Sequence, residues 1–221
     1  MPALTDLGPV AQLRAGRLER RLPQLVLGLA LYGLSIAMMV RGHLGTAPWD
    51  VLHTGLTQHL PMSIGQALVL TSALVMVLWI PLREVPGLGT VANGVLIGVF
   101  ADLFLRAFDA PGAIWVRGLL TVGGVVVCGV ATAMYIGAQL GRGPRDGLMT
   151  GLARRSGLSL RLVRTLLEIA VVVVGLLLGG ALGLGTVLYA LAIGPLTQVM
   201  LPSLTVDLPV PTRAGISASS R

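Results

Sequence analysis

Apolar residues in this chain fall into long unbroken runs instead of alternating with polar ones. Six runs, near 24–41, 63–82, 87–106, 117–137, 161–179 and 184–202, are long enough to cross about 30 Å of hydrocarbon as helices. After the first run of each half comes a shorter, more polar element, about 48–60 and 144–156. Each opens on a proline, which suits the first helical position because the amide there has no intrahelical partner. Each is expected to form a re-entrant half-helix or an interfacial helix, with a short protein-enclosed span as the remaining option. The predicted architecture is an all-α polytopic membrane protein of about six transmembrane helices plus these two short helices.

The pattern repeats at an offset of 96 residues. Leu44-Gly45 recurs as Leu140-Gly141, Pro48 as Pro144, Asp50 as Asp146, and Thr54-Gly55-Leu56 as Thr150-Gly151-Leu152. Gly87-Leu88-Gly89-Thr90-Val91 recurs as Gly183-Leu184-Gly185-Thr186-Val187. This divides the chain into a first repeat at 21–106, a linker at 107–116 and a second repeat at 117–203. An Arg-rich segment at 1–20 precedes them, and a tail at 204–221, rich in Pro, Ser and Thr, is expected to be disordered. Three spans per half would turn the second half upside down in the bilayer, and four would leave the halves parallel.

Composition excludes a soluble domain. Apolar residues make up 54% of the chain, charged residues 11%, and the mean hydropathy is +0.86, where soluble domains carry roughly 25% charged residues. The net charge of +7 comes from arginine, since lysine is absent. With six spans and the N-terminus inside, only Arg41, Arg106 and Arg117 fall outside, so both termini are expected in the cytoplasm. The basic excess sits beside apolar spans and does not indicate nucleic acid. Cys128, the only cysteine, lies in an apolar run and reads as a small core residue.

Candidate chemistry concentrates in the two short elements. With proline first, Ala47 and Gly143 become N-caps and Asp50 and Asp146 occupy the third helical position. A carboxylate there can reach back to the N-cap amide, which accounts for both aspartates without a ligand. The functional alternative brings two half-helix N-termini together near the midplane as a site for a polar or anionic group, with Asp50 and Asp146 holding a cation or proton. Trp49 and His53 correspond to Arg145 and Met149, so the substrate-site candidates are Trp49, Asp50, His53, Arg145 and Asp146 on asymmetric walls. Further polar positions within spans are Asn93, Asp102, Glu168, Tyr189 and Gln198. Glu168 is expected to pair with Arg164 one turn earlier, and Asp102 with Arg106. The histidines have neither repeat symmetry nor helical ligand spacing, so no metal and no cofactor are expected. There is no nucleophile–base set, and the chain is not read as an enzyme.

The runs Leu44-Gly45-Thr46-Ala47-Pro48-Trp49-Asp50 and Gly141-Arg142-Gly143-Pro144-Arg145-Asp146, with Pro86-Gly87-Leu88-Gly89-Thr90, resemble the paired signatures of the bacterial YczE/YyaS/YitT membrane-protein group, above all its YczE branch. The similarity covers roughly 20–203. It implies a multi-pass protein of the bacterial inner membrane and carries over no substrate and no binding residues. The functional expectation is a secondary transporter or permease for a small solute, with its site between the repeats. The alternative is a non-transporting accessory or scaffold protein holding a cytoplasmic partner or lipids. Expected partners are the lipid bilayer, a small solute or anion, and a second copy of the chain.

Overall fold

The computed structural model describes residues 8–208. Among them the chain forms nine α-helices: α1 (Pro9–Arg14), α2 (Leu18–Gly42), α3 (Pro48–His59), α4 (Ile64–Leu82), α5 (Leu88–Ala107), α6 (Ile114–Gly137), α7 (Pro144–Ser156), α8 (Leu160–Leu177) and α9 (Leu184–Leu204). Five of these (α2, α4, α5, α6 and α9) are long and apolar enough to cross a membrane. The sixth long helix, α8, has 18 residues and carries Arg161, Arg164 and Glu168 in its first half. Ser63 caps α4, accepting from the Gln66 amide while Gln66 accepts from the Ser63 amide. Thr90 and Thr186 reach back in the same way to Gly87 and Gly183 ahead of α5 and α9. Each bond satisfies an amide that the first helical turn leaves without a partner.

Long helices α2 and α6 run antiparallel through the centre. A Cβ on Gly28 would meet Met134 and Tyr135, and one on Gly124 would meet Met39 and Ser35, so small residues set the close approach from both sides. Helix α5 lies against α2 and α9 against α6. Each short helix packs on the second long helix of the other half: α3 on α8 through Gly55 and Gly175, α7 on α4 through Gly147 and Trp79. Gly33 and Gly129 likewise meet Phe100 and Leu196, so these glycines of the two central helices pack within the chain.

Helix ends define two faces. Arg21, at the start of α2, donates to the carbonyls of Ala138 and Gln139 beyond the end of α6, and Gln24 donates to Leu204 at the end of α9. This is the terminal face. On the opposite face the end of α2 meets the start of α6, where Gly42 packs on Thr121, and Arg41 donates to Leu105 near the end of α5. Residues 43–47 turn inward from there and α3 begins inside the bundle, with Trp49 beside Arg145 at the start of α7. Helix α3 then returns to the opposite face, where Gln58 meets Gly179 beyond the end of α8. Helix α7 starts inside and returns to the terminal face, where Arg154 and Arg155 donate to Leu82 and Pro81 at the end of α4. Two half-helices thus enter from opposite faces, N-terminus inward, and six long helices cross between the faces. Outward-facing Leu74, Val77, Val95, Val99, Ile169, Val173 and Leu191 form an apolar surface for lipid tails.

Two expectations about the ends of the machine need correcting. Helix α2 starts at Leu18, ahead of the expected 24, because Arg21 is fully buried against helix-end carbonyls and also donates to Gln12 and Gly16. Packed chain also continues past Leu204: Val206 is fully buried, its amide donates to Gly137, and its carbonyl accepts from Gln139. Residues 1–7 and 209–221, which include most of the expected tail, lie outside the described residues.

Candidate functional site

The loops that lead into the half-helices set the site. Each begins with a residue in the left-handed region, His43 (φ 52°) or Gln139 (φ 54°), and has a glycine at strongly positive φ two residues on, Gly45 or Gly141. Between them Leu44 and Leu140 turn their carbonyls across the bundle. Leu140 O accepts from the Gly89 amide at 2.7 Å and Leu44 O from the Gly185 amide at 2.7 Å. The entry loop of each half is therefore anchored on the third long helix of the other. A Cβ on Gly45 would come within 2.6 Å of the Gly183 backbone, so the anchoring requires glycine.

The N-termini of α3 and α7 face a cavity of about 230 Å³ bounded by α2, α5, α6, α8 and α9. Trp49, Arg145 and Asp146 of the short elements line it, as do Asn93, Glu168, Tyr189 and Gln198 of the spans. Arg145 lies over the rings of Tyr32 (5.7 Å) and Trp49 (5.5 Å) and donates to the Tyr32 hydroxyl at 3.0 Å. Such stacking contributes up to about 2 kcal/mol where water is excluded. Among the described residues Arg145 has no carboxylate within ion-pair distance. Asp146 accepts from the Tyr135 hydroxyl at 2.8 Å. At the mouth, Arg164 and Glu168 form the expected i,i+4 pair at 2.8 Å. The cavity reaches the partly exposed side of α8 because α4 packs along α5 whereas α8 and α9 do not pack along each other.

Neither aspartate at the third helical position reaches back to its N-cap amide. Asp50, 2% exposed, instead lies 2.9 Å from His53 Nδ1, and His53 Nε2 is 2.8 Å from the Thr71 hydroxyl on α4. The Thr71 oxygen is also 3.0 Å from Leu68 O. If Thr71 donates to Leu68, Nε2 donates to Thr71 and one further proton is shared between Nδ1 and the Asp50 carboxylate. If Thr71 donates to Nε2, the ring is neutral. The two arrangements differ by one proton with no heavy atom displaced. Asp50 and His53 therefore form a buried cluster behind Trp49, apart from the main cavity. The space beside them is about 10 Å³, room for one water at most.

Asp102 is placed elsewhere. It accepts from the Ser63 hydroxyl and, at 2.8 Å, from the Gly65 amide, so it caps α4 instead of pairing with Arg106. Tyr32, Tyr135 and Thr197 line the cavity without having been singled out in the sequence. One signal could have found the tyrosines: the chain has only three, all within apolar spans, and all three line this cavity.

An all-helical membrane bundle with two inward-pointing half-helices and a polar interior cavity is thus the class to which this protein belongs. Residues 19–202 match the family described as a family of unknown function (DUF6198), and the chain belongs to that family. It is 40% identical to an uncharacterized protein of Haemophilus influenzae, covering 80% of this chain and 81% of that one. It is 34% identical to the uncharacterized membrane protein YczE of Bacillus subtilis (79% and 82%) and 28% identical to YyaS of the same organism (80% and 90%). No solved structure gives a significant match.

Proposed function

We propose that the protein is a secondary transporter of the bacterial inner membrane, moving a small solute through the cavity between its two halves. The observation that carries this reading is the cavity at the meeting point of the two half-helix N-termini, holding a guanidinium with no carboxylate within ion-pair distance among the described residues. An unpaired charge inside a bundle is costly, and a structural role would call for a partner. Half-helices entering from opposite faces fit alternating access, in which the halves rock about a central site. The terminal face carries Arg83, Arg154, Arg155 and Arg161 and is read as cytoplasmic under the positive-inside rule. Asp50, His53 and Thr71 follow the order of a hydrolytic triad, but the space beside Thr71 has no room for a substrate, so the cluster is assigned no reaction.

The test is the accessibility of a single cysteine at Thr132, which lines the cavity, in a Cys128→Ala background. A transporter exposes it to a membrane-impermeant thiol reagent from each face in turn, in intact cells and in inverted vesicles. Labelling from one face alone would favour the non-transporting accessory protein.

A further inference from the structure

Arg145 and Asp146 are adjacent, oppositely charged and on the wall of one cavity, yet they do not pair with each other. Consecutive residues of a helix do not face each other, and each of these two charges is held by other groups. Arg145 is held by the Tyr32 hydroxyl and by the ring faces of Tyr32 and Trp49. Asp146 is held by the Tyr135 hydroxyl. These neutral groups use one of the five guanidinium N–H donors and one hydrogen bond of the carboxylate, and among the described residues neither charge has an ion-pair partner within 4 Å.

Of the other charged groups on the cavity wall, Arg164 is paired with Glu168 at 2.8 Å. Asp50 lies outside the cavity lining, 2.9 Å from His53. The charges on the wall without an ion-pair partner are thus one positive and one negative group. A simple anion would satisfy Arg145 and leave Asp146 facing a second negative charge. A simple cation would do the reverse. We propose that the cavity binds a small zwitterion, an amino acid in the broad sense, with its carboxylate on Arg145 and its ammonium on Asp146.

Two further features suit such a ligand. Trp49 is only 7% exposed, and its ring beside Arg145 lines the cavity and shields the guanidinium from water. Ile136, Met149 and Ile193 give the cavity apolar walls that match a short methylene chain between the charged ends. The volume of about 230 Å³ gives room for a free amino acid.

The assignment rests on reading the cavity as a substrate site, and the experiment separates the two. Protein in lipid nanodiscs is titrated calorimetrically with unbranched ω-amino acids from glycine to 6-aminohexanoate, and with the alkanoates and alkylamines of the same lengths. At one chain length at least, the amino acid is expected to bind about tenfold or more tightly than either single-charge analogue. Asp146→Asn should abolish that preference while keeping alkanoate binding. Arg145→Gln should abolish it while keeping alkylamine binding. Alkanoates binding as tightly as amino acids at every length, or no member of the series binding to wild-type protein, would overturn the assignment, with no need for either variant to fold. Counterflow of the best-binding member in proteoliposomes then tests transport. Binding without counterflow refutes the transporter and leaves the zwitterion site. Counterflow of alkanoates without amino-acid preference refutes the zwitterion and leaves the transporter.

Discussion

Gly45 shows how much a single position settles here. It combines a φ of 109°, which a side chain rarely adopts, with a gap to the Gly183 backbone too small for a methyl group. The left-handed conformation alone costs about 1–2 kcal/mol for an L-residue, and the clash is with backbone that cannot rotate away. Gly45→Ala should therefore lower the thermal unfolding midpoint in nanodiscs, whereas Gly112→Ala, with open space around it, should leave it unchanged. Thr71 tests the buried cluster at the same scale. Thr71→Val removes the hydroxyl that meets His53 Nε2 and leaves a buried ring nitrogen without a partner, at a cost of about 1–3 kcal/mol. Thr71→Ser keeps the hydroxyl and should unfold close to wild type; equal midpoints for the two variants would remove the cluster's structural role.

At the scale of elements, the two half-helices are seated by complementary sizes. On α3 the backbone around Val51 packs against Gly175 of α8, while on α7 Gly147 packs against Trp79 of α4. Residues 51 and 147, and 79 and 175, are 96 apart, so a medium-sized residue against none in one half becomes none against the largest in the other. Trp79 Nε1 also donates to Pro144 O at 3.0 Å, which ties the start of α7 to α4. Gly147→Val should displace α7 and destabilise the protein, and Trp79→Gly should do so by leaving a void. Together they should recover part of the loss, with a coupling on the order of 1–3 kcal/mol in a double-mutant cycle. Purely additive losses would mean that Trp79 acts mainly through the Pro144 bond.

The whole molecule is organised by which face each half-helix returns to. In a Cys128→Ala background, cysteines at Val85 and Ser156 should label from the terminal face. Those at His59 and Leu182 should label from the opposite one. Ser156 and His59 labelling from the same side would overturn the arrangement of half-helices described above. The exposed apolar faces of α4, α5, α8 and α9 also imply that the bundle needs lipid or detergent to stay soluble.

Much of this was legible in the chain because its signals are local. The apolar runs announce long helices by length alone, and prolines 48 and 144 mark where the short helices start. Among the six long helices α8 stands apart through its charge, since Arg161, Arg164 and Glu168 all lie in its first half while the rest of it is apolar. The partners of the charged groups were not legible, because partnership depends on distance in space. Asp50 and Asp146 look alike as N-terminal carboxylates, yet one is taken by a histidine a turn away and the other by a tyrosine on α6. Asp102 has an arginine at ideal helical spacing and is drawn instead to the free amides of a neighbouring helix start. The sequence by itself determined an all-helical membrane protein with two proline-started half-helices and polar residues at their tips, since chain length, apolarity and proline act on the local backbone. Only the tertiary structure decided that the tips meet at one cavity, that three tyrosines line it, and that Arg145 and Asp146 stand there unpaired. Those outcomes depend on how helices far apart in sequence approach one another, which the glycines at their contacts permit but no single segment encodes.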